Sequence, residues 1–217
     1  MRLDADIKRD VEDELRWDPD IDATDIAVAV HNGVAQLTGF VRSYSQKTQA
    51  ERDAKRVAGV VGVANDIEVR LPVIDRRPDP DIVRDAVSAL KTELPYSSEN
   101  IKVIAKDGWI TLEGAVEWNY ARVRAESAVK RVRGVTGVTN SITLKPKVAP
   151  FEIRRKIEDA FRRSAELDAS RITVEANGSE VILRGTVKSW AERQEAERAA
   201  WAAPGVTTVD NRLTISA

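Results

Sequence analysis

The sequence predicts an α+β fold of three tandem α-β-β-α-β modules, each a three-stranded mixed sheet with two helices on one face. Three observations carry this prediction. A strand motif recurs as Leu37-Thr38-Gly39-Phe40-Val41, Leu112-Glu113-Gly114-Ala115-Val116 and Leu183-Arg184-Gly185-Thr186-Val187. A Gly-Val pair follows 20 residues after each of these glycines, at Gly59, Gly134 and Gly205. Six residues further on stands an asparagine in every copy: Asn65, Asn140 and Asn211. The copies therefore superpose without gaps at shifts of 75 and then 71 residues.

Each element has its own signal. The first helix of each copy places apolar residues four apart: Ile7, Val11, Leu15; Ile82, Ala86, Leu90; Ile153, Ile157, Phe161. Pro80 and Pro150 lie at or just before two of these helix starts, where a missing amide hydrogen costs little. An alternating strand follows: Ile26, Val28, Val30; Ile101, Val103, Ala105; Ile172, Val174, Ala176. Asn32-Gly33, Asp107-Gly108 and Asn177-Gly178 mark hairpin turns. The third pair falls one residue early, which predicts a longer or bulged turn. After the Gly-centred strand comes a longer helix, starting near Ser43, Trp118 and Ser189 and ended by a left-handed Gly59, Gly134 or Gly205. A last strand closes each copy, and a right-handed strand–helix–strand crossover makes it parallel to the Gly-centred strand.

The domains on this alignment are 1–69, 80–144 and 151–217, joined by linkers 70–79 and 145–150. Pro72 and Pro78 make the first linker short and semi-rigid. Modules of about 65 residues bury little surface, so neighbouring copies are expected to lean on each other.

Composition narrows the function. The chain has 34 Lys and Arg against 35 Asp and Glu, so no global charge points to nucleic acid, and such a partner is not expected. It has no cysteine, which excludes disulfides, thiolate metal sites and a cysteine nucleophile. The opening MRLDADIKRD lacks the apolar core of a secretory signal, and no later stretch is apolar enough to span a bilayer. The expectation is a cytoplasmic protein, at most peripheral to a membrane.

Candidate sites are few. His31, the only histidine, has Lys106 and Asn177 at the equivalent positions and reads as a solvated turn residue. Asp18, Asp20, Asp22 and Asp25 lack the Gly and distal Glu of a calcium loop and read as punctuation after the first helix, with Pro19. Gly59-Val60-Val61-Gly62 and Gly134-Val135-Thr136-Gly137 imitate an RNA-binding GxxG loop, but their middles are apolar and each leads into a strand. No catalytic triad, phosphate-cradling loop or metal cluster is visible, so no catalytic, cofactor or metal residue is assigned.

Charge differs between copies, with net values of −5, +1 and 0 over 5–69, 80–144 and 151–215. Two helices are locally basic, through Arg122, Arg124, Lys130, Arg131 and Arg133, and through Arg154, Arg155, Lys156, Arg162 and Arg163. Such stripes attract anionic head groups at about 1 kcal/mol per basic residue, or are ordinary solvated faces paired at i,i+4. Trp118 and Trp190, at the starts of second helices, suit a membrane interface or the filling of small cores, the commoner use. Trp17, Trp109 and Trp201 lie near element ends or in the last helix.

The spacing of these motifs resembles the BON family, named for bacterial osmotic-stress (OsmY-like) and nodulation proteins. The match rests on the hairpin Gly, the Leu-x-Gly-x-Val strand, the Ala-Glu pairs Ala50-Glu51, Ala125-Glu126 and Ala196-Glu197, and endings such as Gly59-Val60-Val61-Gly62-Val63-Ala64-Asn65-Asp66-Ile67. The resemblance implies a non-catalytic phospholipid-associating module, often of the bacterial envelope and tied to stress. OsmY-like members are exported with two such domains, whereas this chain has three and shows no export signal. A relative that joins one BON domain to a LysM domain binds potassium, so a small-ligand or potassium sensor is the alternative. The expectation is a scaffold that meets anionic phospholipid or a protein partner through the basic helices of modules two and three, with no cofactor.

Overall fold

Residues 2–145, 152–164 and 167–215 are described by the computed structural model. Module one runs α1 (Asp4–Trp17), β1 (Ile26–His31), β2 (Val34–Val41), α2 (Tyr44–Arg56), β3 (Gly62–Asn65) and β4 (Glu68–Val69). Module two runs α3 (Asp79–Glu93), β5 (Ile101–Lys106), β6 (Trp109–Val116), α4 (Asn119–Val129) and β7 (Gly137–Leu144). Module three runs α5 (Ile153–Arg163), β8 (Ile172–Asn177), β9 (Glu180–Val187), α6 (Trp190–Trp201) and β10 (Thr208–Ile215). The predicted order recurs three times. Pro80 occupies the first turn of α3, while the reading of Pro150 lies outside the described residues.

Each sheet has its Gly-centred strand in the middle. β1 and β2 are antiparallel, as are β5 and β6, and β8 and β9. β10 runs parallel to β9, and both β3 and β4 run parallel to β2, as a right-handed crossover requires. β3 and β4 are one closing strand interrupted at Asp66 and Ile67, where the backbone N–H of Ile67 donates to Asn65 Oδ1 (3.3 Å).

The cores follow the sequence periodicity. Ile7, Val11 and Leu15, Ile82, Ala86 and Leu90, and Ile153, Ile157 and Phe161 are all buried. Leu37, Leu112 and Leu183 of the central strands are fully buried as well. The second helices contribute small residues, Ala50 and Ala54, Ala121 and Ala125, Ala196 and Ala200, which let the helix lie close to the sheet.

Gly39, Gly114 and Gly185 have φ of +112°, +130° and +129°. A Cβ at any of them would collide with the backbone carbonyl of Asp25, Asn100 or Arg171, at the entry of the antiparallel partner strand. The motif glycine is therefore a requirement of hairpin closure.

Two expectations need correction. The third hairpin is no longer than the others. Asn177 pairs with Glu180, so Asn177 ends β8 and Gly178-Ser179 is a two-residue turn with φ +59° at Gly178, the arrangement of a II′ turn. The first two turns carry positive φ at both residues, Asn32 with Gly33 and Asp107 with Gly108, the type I′ pattern. The turn keeps the same place in all three copies, and only the Asn-Gly pair is displaced by one residue, so no bulge forms.

Gly59, Gly134 and Gly205 also do not end the helices directly. α2 stops at Arg56, and Val60 N–H donates to Val57 O (3.2 Å) across a separate turn with Gly59 at φ +93°. The same turn recurs at Val132–Val135 and Ala203–Val206. The glycine supplies the positive φ of a type II-like turn that aims the chain into the closing strand.

The chain divides into two compact units, residues 1–116 with 121–143, and residues 117–120 with 144–217. Within the first, Ser45 Oγ donates to Lys130 O (3.2 Å), so modules one and two hold each other directly, and Arg133 pairs with Asp75 of the linker (3.0 Å).

Candidate functional site

The basic helices carry much of their charge in ion pairs. Lys130, just past the end of α4, pairs with Glu126 (2.6 Å), and within α5 Arg154 pairs with Glu158 (2.7 Å) and Arg162 with Asp159 (3.1 Å). Arg155 pairs with Glu152 (2.6 Å), Arg124 with Glu93 of the neighbouring helix (3.5 Å), and Arg133 with Asp75 of the linker. Exposed pairs of this kind contribute about 0.3–0.5 kcal/mol each and offset the charge a head group would feel. Arg131 and Arg163 have no ion pair among the described residues. Arg122 offers its main-chain carbonyl to Asn140 Nδ2 (2.9 Å).

The tryptophans divide. Trp201 packs against the module-three core, and Arg193 lies 5.1 Å over the Trp190 ring. Trp109 covers Gly137, where any Cβ would strike the indole, and its Nε1 donates to Thr139 Oγ1 (2.9 Å). Trp201 follows the packing expectation, whereas Trp17, Trp109 and Trp118 are 85%, 49% and 41% exposed.

A surface feature that periodicity missed lies in the first linker. Val73 and Ile74 sit on a single 3₁₀ turn, 81% and 80% exposed, followed by exposed Arg76 and Arg77. Neighbouring charges are matched elsewhere, Asp75 by Arg133 and Glu68 by Arg70 (2.8 Å). The signal available in sequence was two adjacent β-branched residues in a proline-bounded linker, with no strand or helix to bury them.

The shared polar residues are structural. Asn65 Nδ2 donates to Lys47 O (3.0 Å) and Glu51 Oε2 (3.3 Å), and Asn140 repeats this with Arg122 O and Glu126 Oε2. Asn211 donates to Glu197 Oε2 (2.8 Å). The Ala-Glu pair and the late asparagine thus clamp the second helix to the closing strand. Burial pushes the Glu51 and Glu126 carboxyls up, but Lys55 or Lys130 and the asparagine outweigh it and leave both below the usual range. Asp4 and Asp79, which pattern analysis did not single out, each accept two turn N–H groups: Asn32 and Gly33 (2.8 and 3.0 Å), and Asp107 and Gly108 (both 2.9 Å).

One polar group departs from this repeat. Asp53 stands where modules two and three have Ala128 and Ala199, and it is fully buried. Its Oδ1 accepts from Gln49 Nε2 and Arg56 Nη1 (3.1 Å each), while Oδ2 has no partner. Burial, and then the charge of Asp18, push its carboxyl up to about 6. Asp18 is held low, first by the Asp20 N–H (2.8 Å). Asp18 and Asp22 otherwise act as the predicted punctuation, Asp22 accepting from Thr24 N–H (3.2 Å), and His31 lies exposed at the end of β1. Among the described residues, no group of three or more metal-ligating side chains converges, and no helix is long and apolar enough to cross a membrane.

A BON domain family model matches residues 3–70, 79–146 and 151–217. The osmotically-inducible protein Y of Escherichia coli (strain K12) is 33% identical over 129 residues, 58% of this chain. The match spans 64% of that relative's length. Among solved structures, CdsD, a structural protein of the type III secretion system of Chlamydia trachomatis, aligns over 97% of this chain and 92% of its own at 13% identity and a TM-score of 0.27. Its C-terminal domain aligns over the full length of both chains at 12% identity and the same TM-score. Likeness at that level carries no argument about function.

Proposed function

The chain belongs to the BON domain family, and from that premise we propose that it is a non-catalytic scaffold that associates with anionic phospholipid surfaces in a bacterial stress or envelope-maintenance response. The relative's induction by osmotic stress, which its name records, supports the stress part. In this reading the working units are 1–69, 80–144 and 151–217, joined by linkers 70–79 and 145–150.

The observation that carries the membrane part is the linker tip. Val73 and Ile74 expose adjacent aliphatic side chains beside Arg76 and Arg77, apolar atoms to enter the acyl boundary and cations to meet phosphates. Arg131 and Arg163 add charge that no carboxylate offsets among the described residues, and the exposed Trp118 adds an interfacial ring.

Flotation with vesicles of phosphatidylcholine alone, and with phosphatidylglycerol added, tests this. Association at low salt should require the anionic lipid and weaken at least tenfold in Val73→Ser/Ile74→Ser, since burying two aliphatic side chains is worth more than that factor. Equal flotation with both vesicle types, or none with either, overturns the lipid reading in favour of a protein partner.

A further inference from the structure

Modules one and two enclose a second feature, apart from the linker tip and independent of the membrane reading. A cavity of about 440 Å³ lies between α2 and the C-terminal end of α4, its walls joined by the Ser45–Lys130 hydrogen bond. Its lining is polar throughout: seryl, threonyl and glutaminyl side chains, three cations and the single carboxylate of Asp20.

The donors there are unequally committed. Lys130 is neutralised by Glu126, and Thr48 Oγ1 donates back to Ser45 O (3.0 Å). Arg52 is held differently. Its Nη1 donates to the neutral amide oxygen of Gln49 (3.0 Å), and Gln49 is anchored through Nε2 by Asp18 Oδ2 (2.8 Å) and Asp53 Oδ1 (3.1 Å). The chain Asp53–Gln49–Arg52 therefore orients a guanidinium that has no carboxylate on it among the described residues. Arg131, on the opposite wall, makes no hydrogen bond or ion pair among the described residues, and neither does the Ser127 hydroxyl beside it.

We propose that this cavity binds a phosphate ester of a small polyol, with Arg52 and Arg131 gripping the phosphate from the two modules. Guanidinium forks match phosphate oxygens in bidentate fashion and do so best when no carboxylate competes. Ser127 donates to a third oxygen. Asp20, the one acid of the lining, repels a bare anion but accepts from a hydroxyl, which favours the ester over inorganic phosphate. The site needs both modules, and the third copy has Arg198 and Ala202 at the positions of Arg52 and Arg131.

The test is calorimetric titration of the full chain with glycerol 3-phosphate and with inorganic phosphate, alongside Arg52→Gln, Arg131→Gln and the double variant. The ester should bind more tightly than phosphate, each single change should weaken it about tenfold, and the double variant should be silent. Both substitutions are at exposed positions, and unchanged thermal melts keep a loss of binding from being a loss of fold. If the soluble ester is silent but flotation with phosphatidylglycerol vesicles falls in the double variant, the phosphate comes from a lipid head group and the site stands. Binding of neither kind that depends on Arg52 and Arg131 overturns the proposal, whatever Val73→Ser/Ile74→Ser does to flotation.

Discussion

Asp53 and Asp18 share one amide: Gln49 Nε2 donates to Asp53 Oδ1 at 3.1 Å and to Asp18 Oδ2 at 2.8 Å. Glu14 of α1 and Arg56 of α2 also face this pair, and Arg56 reaches both Asp53 (3.1 Å) and Glu14 (4.0 Å). The Asp53 carboxyl titrates at about 6 in the fold against 3.8 ordinarily, because burial and the Asp18 charge disfavour its ionised form. The native state then binds more protons than the unfolded chain between these values, so stability falls as pH rises from about 4 to 6 and stays reduced above. Asp18 works oppositely, losing its contribution as pH falls through its lowered folded value.

Asp53→Asn should remove the first effect. The amide keeps an acceptor for Gln49 and places Nδ2 where Oδ2 now has no partner, able to donate to Asp18. Urea unfolding should show the variant about 1–3 kcal/mol more stable at pH 7 and close to the parent near pH 4. A variant that is less stable at pH 7 would mean that the Arg56 pairing outweighs desolvation.

Asp4 and Asp79 each tie the first turn of a helix to a hairpin 28 residues away. Replacing either by Ala leaves two turn N–H groups to solvent and should cost roughly 1–3 kcal/mol. Hydrogen exchange localises the effect: Asn32 and Gly33 lose protection in Asp4→Ala, and Asp107 and Gly108 in Asp79→Ala. Module three has Pro150 at the aligned position, so its II′ turn must close without such a carboxylate.

The repeated glycines give a sharper expectation. Gly114→Ala drives a methyl into the Asn100 carbonyl at φ +130°, so strain and collision act together. The loss should exceed about 3 kcal/mol. Circular dichroism should show module two unfolding at lower urea than in the parent. Gly178→Ala meets nothing within contact distance and carries only the cost of its φ of +59°, so it should be much milder.

These contrasts explain what the sequence disclosed. Ile7, Val11 and Leu15, or Leu37 beside Gly39, announce themselves because burial imposes a period and the copies repeat it. The turn at Gly178-Ser179 was misplaced because Asn177-Gly178 matches a type I′ pair, and only the register Asn177 to Glu180 shows the asparagine already paired in the strand. The basic stripes were legible as composition, but Arg124 meeting Glu93 from another helix depends on packing that no spacing reveals. Asp53 was within reach: an aspartate aligned with Ala128 and Ala199 is a charge at a core position, and that mismatch is the signal. Val73 and Ile74 escaped because a linker has no period to violate.

The asparagine clamp yields the last expectation. Asn65 and Asn140 each donate through Nδ2 to a helix carbonyl and a glutamate, and accept through Oδ1 the backbone N–H two residues on, Ile67 or Ile142. Asparagine is suited here because it carries donor and acceptor on one short side chain. Asn140→Ala loses both and should cost about 1–3 kcal/mol. Asn140→Asp keeps the acceptor for Ile142 N–H but sets a carboxylate against Arg122 O and Glu126, so it should be worse than alanine at pH 7. Protonation restores a donor, and the aspartate variant should regain stability as pH falls through the carboxylate range, crossing the alanine variant. Asn211 differs, since Arg193 already ties α6 to the closing strand through Asn211 O (2.9 Å) and Leu213 O (3.2 Å). Asn211→Asp should therefore cost less than Asn140→Asp in the same urea series, and equal losses would show that the arginine does not share the load.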